Sequence, residues 1–340
     1  MIECVPNFSE GRNRETIDAI VAAIASVDAV RVLDVDPGAA ANRTVVTFVG
    51  PPEAVVEAAF RGAAMAAERI DMRVQHGTHP RSGATDVLPL IPLSGITLQE
   101  CAVLARDLAA RMYRELGIPC FCYEAAASSE ERRNLAWCRA GEYEGLPARM
   151  EDPLRKPDFC GGFDTRAARS GASHVGARPF LIAVNFNLDT TSAALATEIA
   201  CDVRAKGRKA LSPDGSPVLD AEGRAVWIRG PLKGCKAIGW YIEDYGIAQV
   251  SMNITDMDAT PLYVAYEVVS KATQARGARV TGTEIIGLVP RRALLEAGRF
   301  YLARQGETGM AGEEELLRAA VEGMHLDDLR PFDLAHKLIG

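Results

Sequence analysis

The chain has 340 residues, 48% hydrophobic and 24% charged, with a net charge of −7; it is long enough to bury a large core and favours two domains over one. An acidic balance lacks the surplus of Lys and Arg that non-specific nucleic-acid binding requires, and no apolar run reaches the ~18 residues of a membrane helix. The start, Met1-Ile-Glu-Cys-Val-Pro, has no basic region followed by a long apolar stretch, and the eight cysteines are scattered rather than spaced as a disulfide framework; a cytoplasmic protein is expected.

Ile2 to Val5 reads as a strand, Pro6 to Gly11 as a turn, and Glu15 to Ile24 as a helix with Ile17, Ile20 and Ile24 on one side. Strands follow at Val30 to Asp34 and Arg43 to Val49, flanking the loop Asp36 to Asn42, then an alanine-rich helix from Pro52 to Ile70. After the histidine-bearing loop Arg73 to Asp86 come a strand at Val87 to Ile91, a helix from Leu98 to Leu116, a strand at Ile118 to Tyr123 and a helix over Ser128 to Cys138. The stretch from Arg139 to Ala177, rich in Gly, Pro, Arg and Asp, has the composition of a linker or binding loop. The pattern then begins again: a strand at Phe180 to Phe186, a helix at Ser192 to Arg204, strands at Cys235 to Ile242 and Ala248 to Ile254, a helix at Pro261 to Ala275, a strand at Val280 to Leu288 and a helix at Arg291 to Arg304.

Both halves read β-α-β-β-α-β with an extra helix, so the expected fold class is α+β: two ferredoxin-like subdomains, residues 1–177 including the linker 139–177, and residues 178–340. Sequence echoes support duplication. Val5-Pro-Asn7-Phe8 resembles Val184-Asn185-Phe186, and Gly83-Ala-Thr85-Asp86 before Pro92 resembles Gly282-Thr283-Glu284 before Pro290. A cleft between duplicated domains is where small-molecule sites tend to lie, and the linker is expected to cross it.

His79, in a polar loop that runs into an apolar strand, is the first candidate for acid/base chemistry, since imidazole titrates near working pH; a loop histidine bonded only to a carbonyl is the plain alternative. His76 lacks the helical spacing that pairs two imidazoles on a metal, and Cys120-Phe-Cys122 has no second cluster, so no metal is expected. Asp34-Val-Asp36 sends two carboxylates to one strand face, where one can orient His79 or simply cap the next turn. Asn42, Arg43, Arg81 and Arg178 are suited to gripping a substrate carboxylate, or are solvated surface groups. The basic stretch Arg204 to Lys236 reads either as an attractor for an anionic tail or as a charged, solvated loop.

Taken together, Val5-Pro-Asn-Phe-Ser-Glu-Gly-Arg12, Leu33-Asp-Val-Asp36, Asn42-Arg-Thr44, His79-Pro-Arg81 with Gly83-Ala, Gly141-Glu-Tyr-Glu144, Gly176-Ala-Arg178, Ile238-Gly-Trp240, Gly287-Leu-Val-Pro290 and Leu326-Asp-Asp-Leu-Arg-Pro-Phe332 resemble the glutamate formimidoyltransferase family over almost the whole chain. The resemblance implies two α/β subdomains with a substrate tunnel between them. It also implies transfer of the formimidoyl group from N-formimidoyl-L-glutamate to N5 of tetrahydrofolate, a late step in histidine breakdown, in a cytoplasmic homodimer. Tetrahydrofolate is then a co-substrate, with no metal, nucleic-acid or membrane partner, and no cyclodeaminase portion is expected after Gly340. The family's catalytic histidine maps to His79 and its partner acid to Asp36. Asn42, Arg43, Arg81, Gly83, Thr85, Asp86, Arg178 and Glu284 are the expected substrate contacts, and Asp158, Phe159, Gly161, Gly171 and Ala172 the expected folate contacts. Where the family's linker reads Asp-Phe-Gly-Pro, this chain has Asp158-Phe-Cys-Gly161, which alters the backbone freedom of that loop. Formyl transfer between folate and glutamate, or folate binding without turnover, are the alternatives, and a tetrahydrofolate-dependent assay on formimidoylglutamate separates them.

Overall fold

In the computed structural model, which describes residues 1–306 and 311–339, the chain divides into two units, Met1–Phe180 and Leu181–Gly340. The first begins with β1 (Ile2–Cys4) and β2 (Asn7–Phe8), one strand interrupted at Val5-Pro6. Pro6 has no N–H to give to the ladder, so pairing lapses there and resumes at Asn7, within the segment that reads as a turn. Next come α1 (Arg14–Ala25), β3 (Arg31–Gly38), β4 (Arg43–Gly50), α2 (Pro52–Arg69) and β5 (Thr85–Pro92). Numbered as the four strands of β-α-β-β-α-β, they lie antiparallel in the order 2-3-1-4, the ferredoxin-like arrangement. The unit is completed by α3 (Leu98–Arg111), which widens into a π-helical turn at Met112–Leu116, and by β6 (Cys120–Glu124), α4 (Leu135–Cys138), α5 (Leu146–Glu151), α6 (Thr165–Ser170) and β7 (Ser173–Ala177). β7 inserts between β5 and β6, parallel to both.

Two expectations are corrected here. Residues 128–138 are not one helix, because Asn134 takes an extended backbone and turns its side chain to cap Ala136 N, separating a short 3₁₀ turn from α4. Residues 139–177, expected within the first subdomain as a linker, are not a bare linker either: they supply a strand of its sheet. The segment lacks periodicity because its short elements are pinned by side chains. Arg149 donates to the carbonyls of Trp137, Cys138, Ala140 and Arg155 while its guanidinium lies 4.7 Å from the Phe121 ring centre.

The second unit holds β8 (Ile182–Leu188), α7 (Ala193–Val203), the short ribbon β9 (Arg208–Lys209) and β10 (Trp227–Ile228), β11 (Cys235–Ile242), β12 (Ile247–Ile254), α8 (Leu262–Gln274) and β13 (Val280–Ile286). Its four-stranded sheet runs β11-β12-β8-β13, again 2-3-1-4. β14 (Val289–Pro290), α9 (Arg291–Gln305), α10 (Glu313–Gly323), α11 (Leu334–Lys337) and β15 (Leu338–Ile339) follow. No helix of the described residues is long and apolar enough to cross a membrane.

Helices start where the sequence offers a cap: Asn13 accepts from Thr16 N, Thr97 and Glu100 form a reciprocal box on α3, and Ser192 accepts from Leu195 N. In the first unit Phe8, Val46, Phe48, Leu88 and Leu90 on one sheet face meet Ile20, Ile24, Ala59 and Ala63 of the helices. Alternation therefore sends Glu3, Asn7, Arg43 and Val45 to the other face, where a smaller cluster of Val87, Phe121, Tyr123, Cys138 and Leu146 packs.

The histidine loop is held at its far end by backbone contact with the segment before β7. Ala84 N donates to Ser170 O at 2.7 Å and Ala172 N to Ser82 O at 2.9 Å, with Gly83 and Gly171 paired between them. Gly171 has φ +63°, and a Cβ there would lie 2.1 Å from Ser82 O. Gly171→Ala should cost at least about 2 kcal/mol in urea denaturation. Gly215→Ala, at φ +84° with nothing within 4 Å, should lose only about 1 kcal/mol for the left-handed backbone.

Candidate active site

The site is assembled on a fault in strand pairing. Phe8 pairs with Thr85 and Asn7 with Val87, so Asp86 is the extra residue of a bulge, which re-aims its side chain. Its Oδ2 accepts from Arg43 Nη1 at 2.5 Å and Arg139 Nη2 at 2.7 Å, and its Oδ1 from Ser82 N at 2.8 Å. Asp86 is fully buried. Burial alone would raise its pKa, but Arg139 and Arg43 override it and hold the carboxyl well below the usual range. Arg43 Nε donates to Asn7 Oδ1 at 3.0 Å. Arg43 Nη2 and Arg139 Nη1 have no hydrogen-bond partner among the described residues, and Arg139 Nε is buried without one. Two guanidiniums therefore share one carboxylate and keep donors to spare.

His79 lies within the electrostatic reach of this group. Burial, with Arg43 and Arg139 close by, pushes its pKa from 6.5 down to about 3, against the opposing pull of Asp86. Its Nδ1 is 2.7 Å from Pro80 O. A carbonyl only accepts, so Nδ1 carries the proton and Nε2 is the basic nitrogen of a neutral imidazole. His174, on β7, donates from Nδ1 to Asp86 O at 2.8 Å and stacks on Phe121 at 5.2 Å; burial lowers its pKa to about 4.

The other expected substrate contacts divide into partners of this centre and its scaffolding. Asp36 pairs in register with Val45, which also pairs with Asn7, so β3 brings it to the sheet face that carries Arg43. His79 Nδ1 lies against Pro80 O, and Asp86 is among the charged groups that act on its pKa. Asn42 clasps the loops, accepting from Gly11 N and donating to His76 O at 2.7 Å, while His76 itself is exposed. Arg81 is mostly spent internally: it holds Glu144 through two 2.8 Å bonds and also bonds Gln75 Oε1 and the Gln75 carbonyl. Thr85 is buried and its carbonyl accepts from Ser173 Oγ. Arg178 donates to Pro179 O and acts electrostatically on the buried Glu3. Glu284, in the second unit, accepts from Asn185, Gln249 and Tyr245.

The expected folate contacts have packing partners in the first unit. Asp158 accepts from Cys122 N, Ser128 Oγ and Arg132 Nη1; Phe159 pairs with Cys120 and packs on the helix-side core. Gly171 and Ala172 form the contact with Ser82 and Gly83 described above, whereas Gly161 is exposed in a shallow groove beside Tyr113 and Arg166. Arg139 and His174 were not legible as site residues. Arg139 stands just ahead of Gly141-Glu-Tyr-Glu144, which carries the partner of Arg81, and that adjacency was the available signal.

A duplicated α+β protein with a neutral imidazole beside cations that exceed their carboxylate in number defines a class: a protein with an acid/base site fitted to an anionic ligand. Residues 1–178 match the N-terminal subdomain of the formiminotransferase domain and residues 183–340 match the formiminotransferase domain; the chain belongs to this family. It is 43% identical over 339 residues to the formimidoyltransferase-cyclodeaminase of Gallus gallus, covering 100% of this chain and 59% of that protein. It thus spans about three-fifths of the length of the first curated relatives it matches. The glutamate formimidoyltransferase of Streptococcus pyogenes serotype M1 is 41% identical over 89% of this chain and 93% of its own. That of Thermoplasma acidophilum is 39% identical over 94% and 98%.

Asp86→Asn leaves two buried guanidiniums without their counter-charge and should cost about 3–5 kcal/mol in chemical denaturation at pH 7. A depressed carboxyl pKa stabilises the fold above the unfolded value of 3.8 and ceases to do so as the pH falls below it. The gap between wild type and variant should therefore narrow below pH 3.8.

Proposed function

We propose that the protein transfers the formimidoyl group from N-formimidoyl-L-glutamate to N5 of tetrahydrofolate, giving 5-formimidoyltetrahydrofolate and L-glutamate. The observation that carries the reading is the basic Nε2 of His79 beside Arg43 and Arg139, two cations with one carboxylate between them. A glutamate carboxylate finds unused N–H donors there, and family membership supports the choice of substrate. N5 attacks the amidine carbon and a C–N5 bond forms. His79 Nε2 accepts the N5 proton, then returns it to the glutamate nitrogen as the C–N bond to glutamate breaks. Asp36 is assigned to the same sheet face as an acid near the reacting groups, and Asp86 sets the charge around the imidazole. The homodimer and the cytoplasmic location belong to the same proposal.

The site couples binding to basicity. Arg43 and Arg139 both lower the His79 pKa; a substrate carboxylate bound to them cancels part of that field, so the imidazole becomes a stronger base once substrate arrives. The acid limb of kcat, which reports the bound enzyme, should lie at higher pH than the acid limb of kcat/KM, which reports the free enzyme. Coincident limbs in a full pH profile would refute the coupling. Tetrahydrofolate-dependent consumption of formimidoylglutamate with release of glutamate tests the activity itself. His79→Ala, with an unchanged circular dichroism spectrum, should lose roughly 10²- to 10⁴-fold in kcat; near-normal turnover would remove His79 from the mechanism.

A further inference from the structure

The strands that the two units share can be matched by register. Phe8 pairs with Thr44 and Thr85, and Phe186 with Val250 and Thr283, so Arg43 corresponds to Gln249 and Asp86 to Glu284. The first unit's sheet continues past β5 through β7 and β6, whereas the second unit's sheet ends at four strands among the described residues. The chain between β6 and β7 supplies Arg139, which therefore lies outside the shared framework. It follows α4 directly and belongs to no strand, so side chains around it must hold it in place.

His174, on β7, is where those side chains meet. Register sets it beside Val87 of β5 and Phe121 of β6, in the row that Asn7 continues on β2. Its Nδ1 donates to the Asp86 carbonyl at 2.8 Å and lies 3.8 Å from Asp86 Oδ1. A carbonyl only accepts, so Nδ1 carries the proton, and Nε2 is buried without a hydrogen-bond partner. The ring lies nearly parallel to Phe121, with 11° between the planes and 5.2 Å between centroids. The Arg149 guanidinium is 4.7 Å from the centre of the same phenyl ring. Its Nη1 donates to the carbonyls of Trp137, Cys138 and Ala140, on either side of Arg139. Arg139 Nη2 closes the circuit on Asp86 Oδ2 at 2.7 Å. Both attachments of Arg139 thus lead to His174: the backbone through Arg149 and Phe121, the guanidinium through Asp86.

Burial, with Arg139 nearby, keeps the imidazole neutral against the pull of Asp86 and the Cys138 backbone. A neutral ring adds no charge to the site and can act on it only through position. Building on the proposed activity, we propose that His174 is a positioning residue for Arg139: its N–H fixes the bulge that carries Asp86, its ring fixes the segment that carries Arg139, and together they hold the unused guanidinium donors where the carboxylate of formimidoylglutamate binds. A histidine that merely filled space would affect both substrates alike and act independently of Arg139.

The test is a double-mutant cycle over wild type, His174→Phe, Arg139→Gln and the double variant, with formimidoylglutamate binding measured by calorimetry beside steady-state turnover. His174→Phe keeps a ring against Phe121 and removes the N–H. It should weaken formimidoylglutamate binding roughly tenfold, the effect of one lost buried hydrogen bond, with the KM for tetrahydrofolate unchanged. In the Arg139→Gln background the same substitution should have little further effect, because the residue it positions is gone. The acid limb of kcat/KM should move to higher pH in His174→Phe, as the field of Arg139 on His79 weakens. His174→Asn, whose amide N–H stands as many bonds from the backbone as Nδ1–H, should recover most of the affinity. Unchanged affinity in His174→Phe, an equal loss with and without Arg139, or a loss that falls on tetrahydrofolate overturns the positioning role and leaves the activity standing. Where His174→Phe does not fold, Arg149→Lys in the same two backgrounds decides: losses that simply add overturn the role, and a loss confined to the Arg139 background supports it. A wild type that neither turns over nor binds formimidoylglutamate overturns both readings.

Discussion

The Asp86 carboxylate is the constraint on which the first unit's site depends. Two guanidiniums brought into a largely buried position would each lose several kcal/mol of hydration without a counter-charge, and Asp86 serves Arg43 and Arg139 together. Its own burial is tolerable because two cations and the Ser82 N–H surround it. The structural features nearby follow from that need. The bulge between β2 and β5 turns the carboxylate toward Arg43; the segment after α4 delivers Arg139; and the contact of Ser82 and Gly83 with Gly171 and Ala172 fixes the loop whose N–H reaches Oδ1. One carboxylate cannot neutralise two guanidiniums. Burial, with the remaining positive charge nearby, keeps His79 neutral, and that charge favours an anion beside it.

Much of the architecture was readable from periodicity. The repeated β-α-β-β-α-β order and the echo of Gly83-Ala-Thr85-Asp86 in Gly282-Thr283-Glu284 anticipate two sheets of the same strand order, because alternation and helical spacing are local properties. The segment from Arg139 to Ala177 was opaque for the same reason. Its elements are short, and they are held by side-chain bonds to backbone carbonyls, such as those from Arg149 and Tyr143, that leave no pattern in the sequence.

The site was legible in its residue types and less so in their roles. Arg43 and Asp86 are paired, and both act electrostatically on His79. Arg81, by contrast, looked like a substrate clamp and is held by Glu144 and Gln75. A guanidinium beside a polar loop looks the same in sequence whether its partner is a ligand or a carboxylate 63 residues away. Asp158 and Gly171 make a related point. A motif that marks a family may do so because it holds a binding loop in shape, and the hydrogen bonds of Asp158 and the tight approach of Gly171 to Ser82 are of that kind.

Duplication explains how one fold yields two differently charged faces. In a ferredoxin-like unit both crossover helices lie on the same side of the sheet, so alternate strand residues project to a face that those helices do not cover. Side chains there contribute less to the helix-packed core, and they can change while the fold persists. At matched positions this chain has Arg43 in one unit and Gln249 in the other, and the local pairing differs as well: Asp86 is the inserted residue of a bulge, whereas Glu284 pairs directly with Asn185. The bulge at Asp86, the arginine at position 43 where the second unit has Gln249, and Arg139 from the segment after α4 together set the charge around the first unit's acid. The same strand order can therefore carry different charges at matched positions without a change of fold.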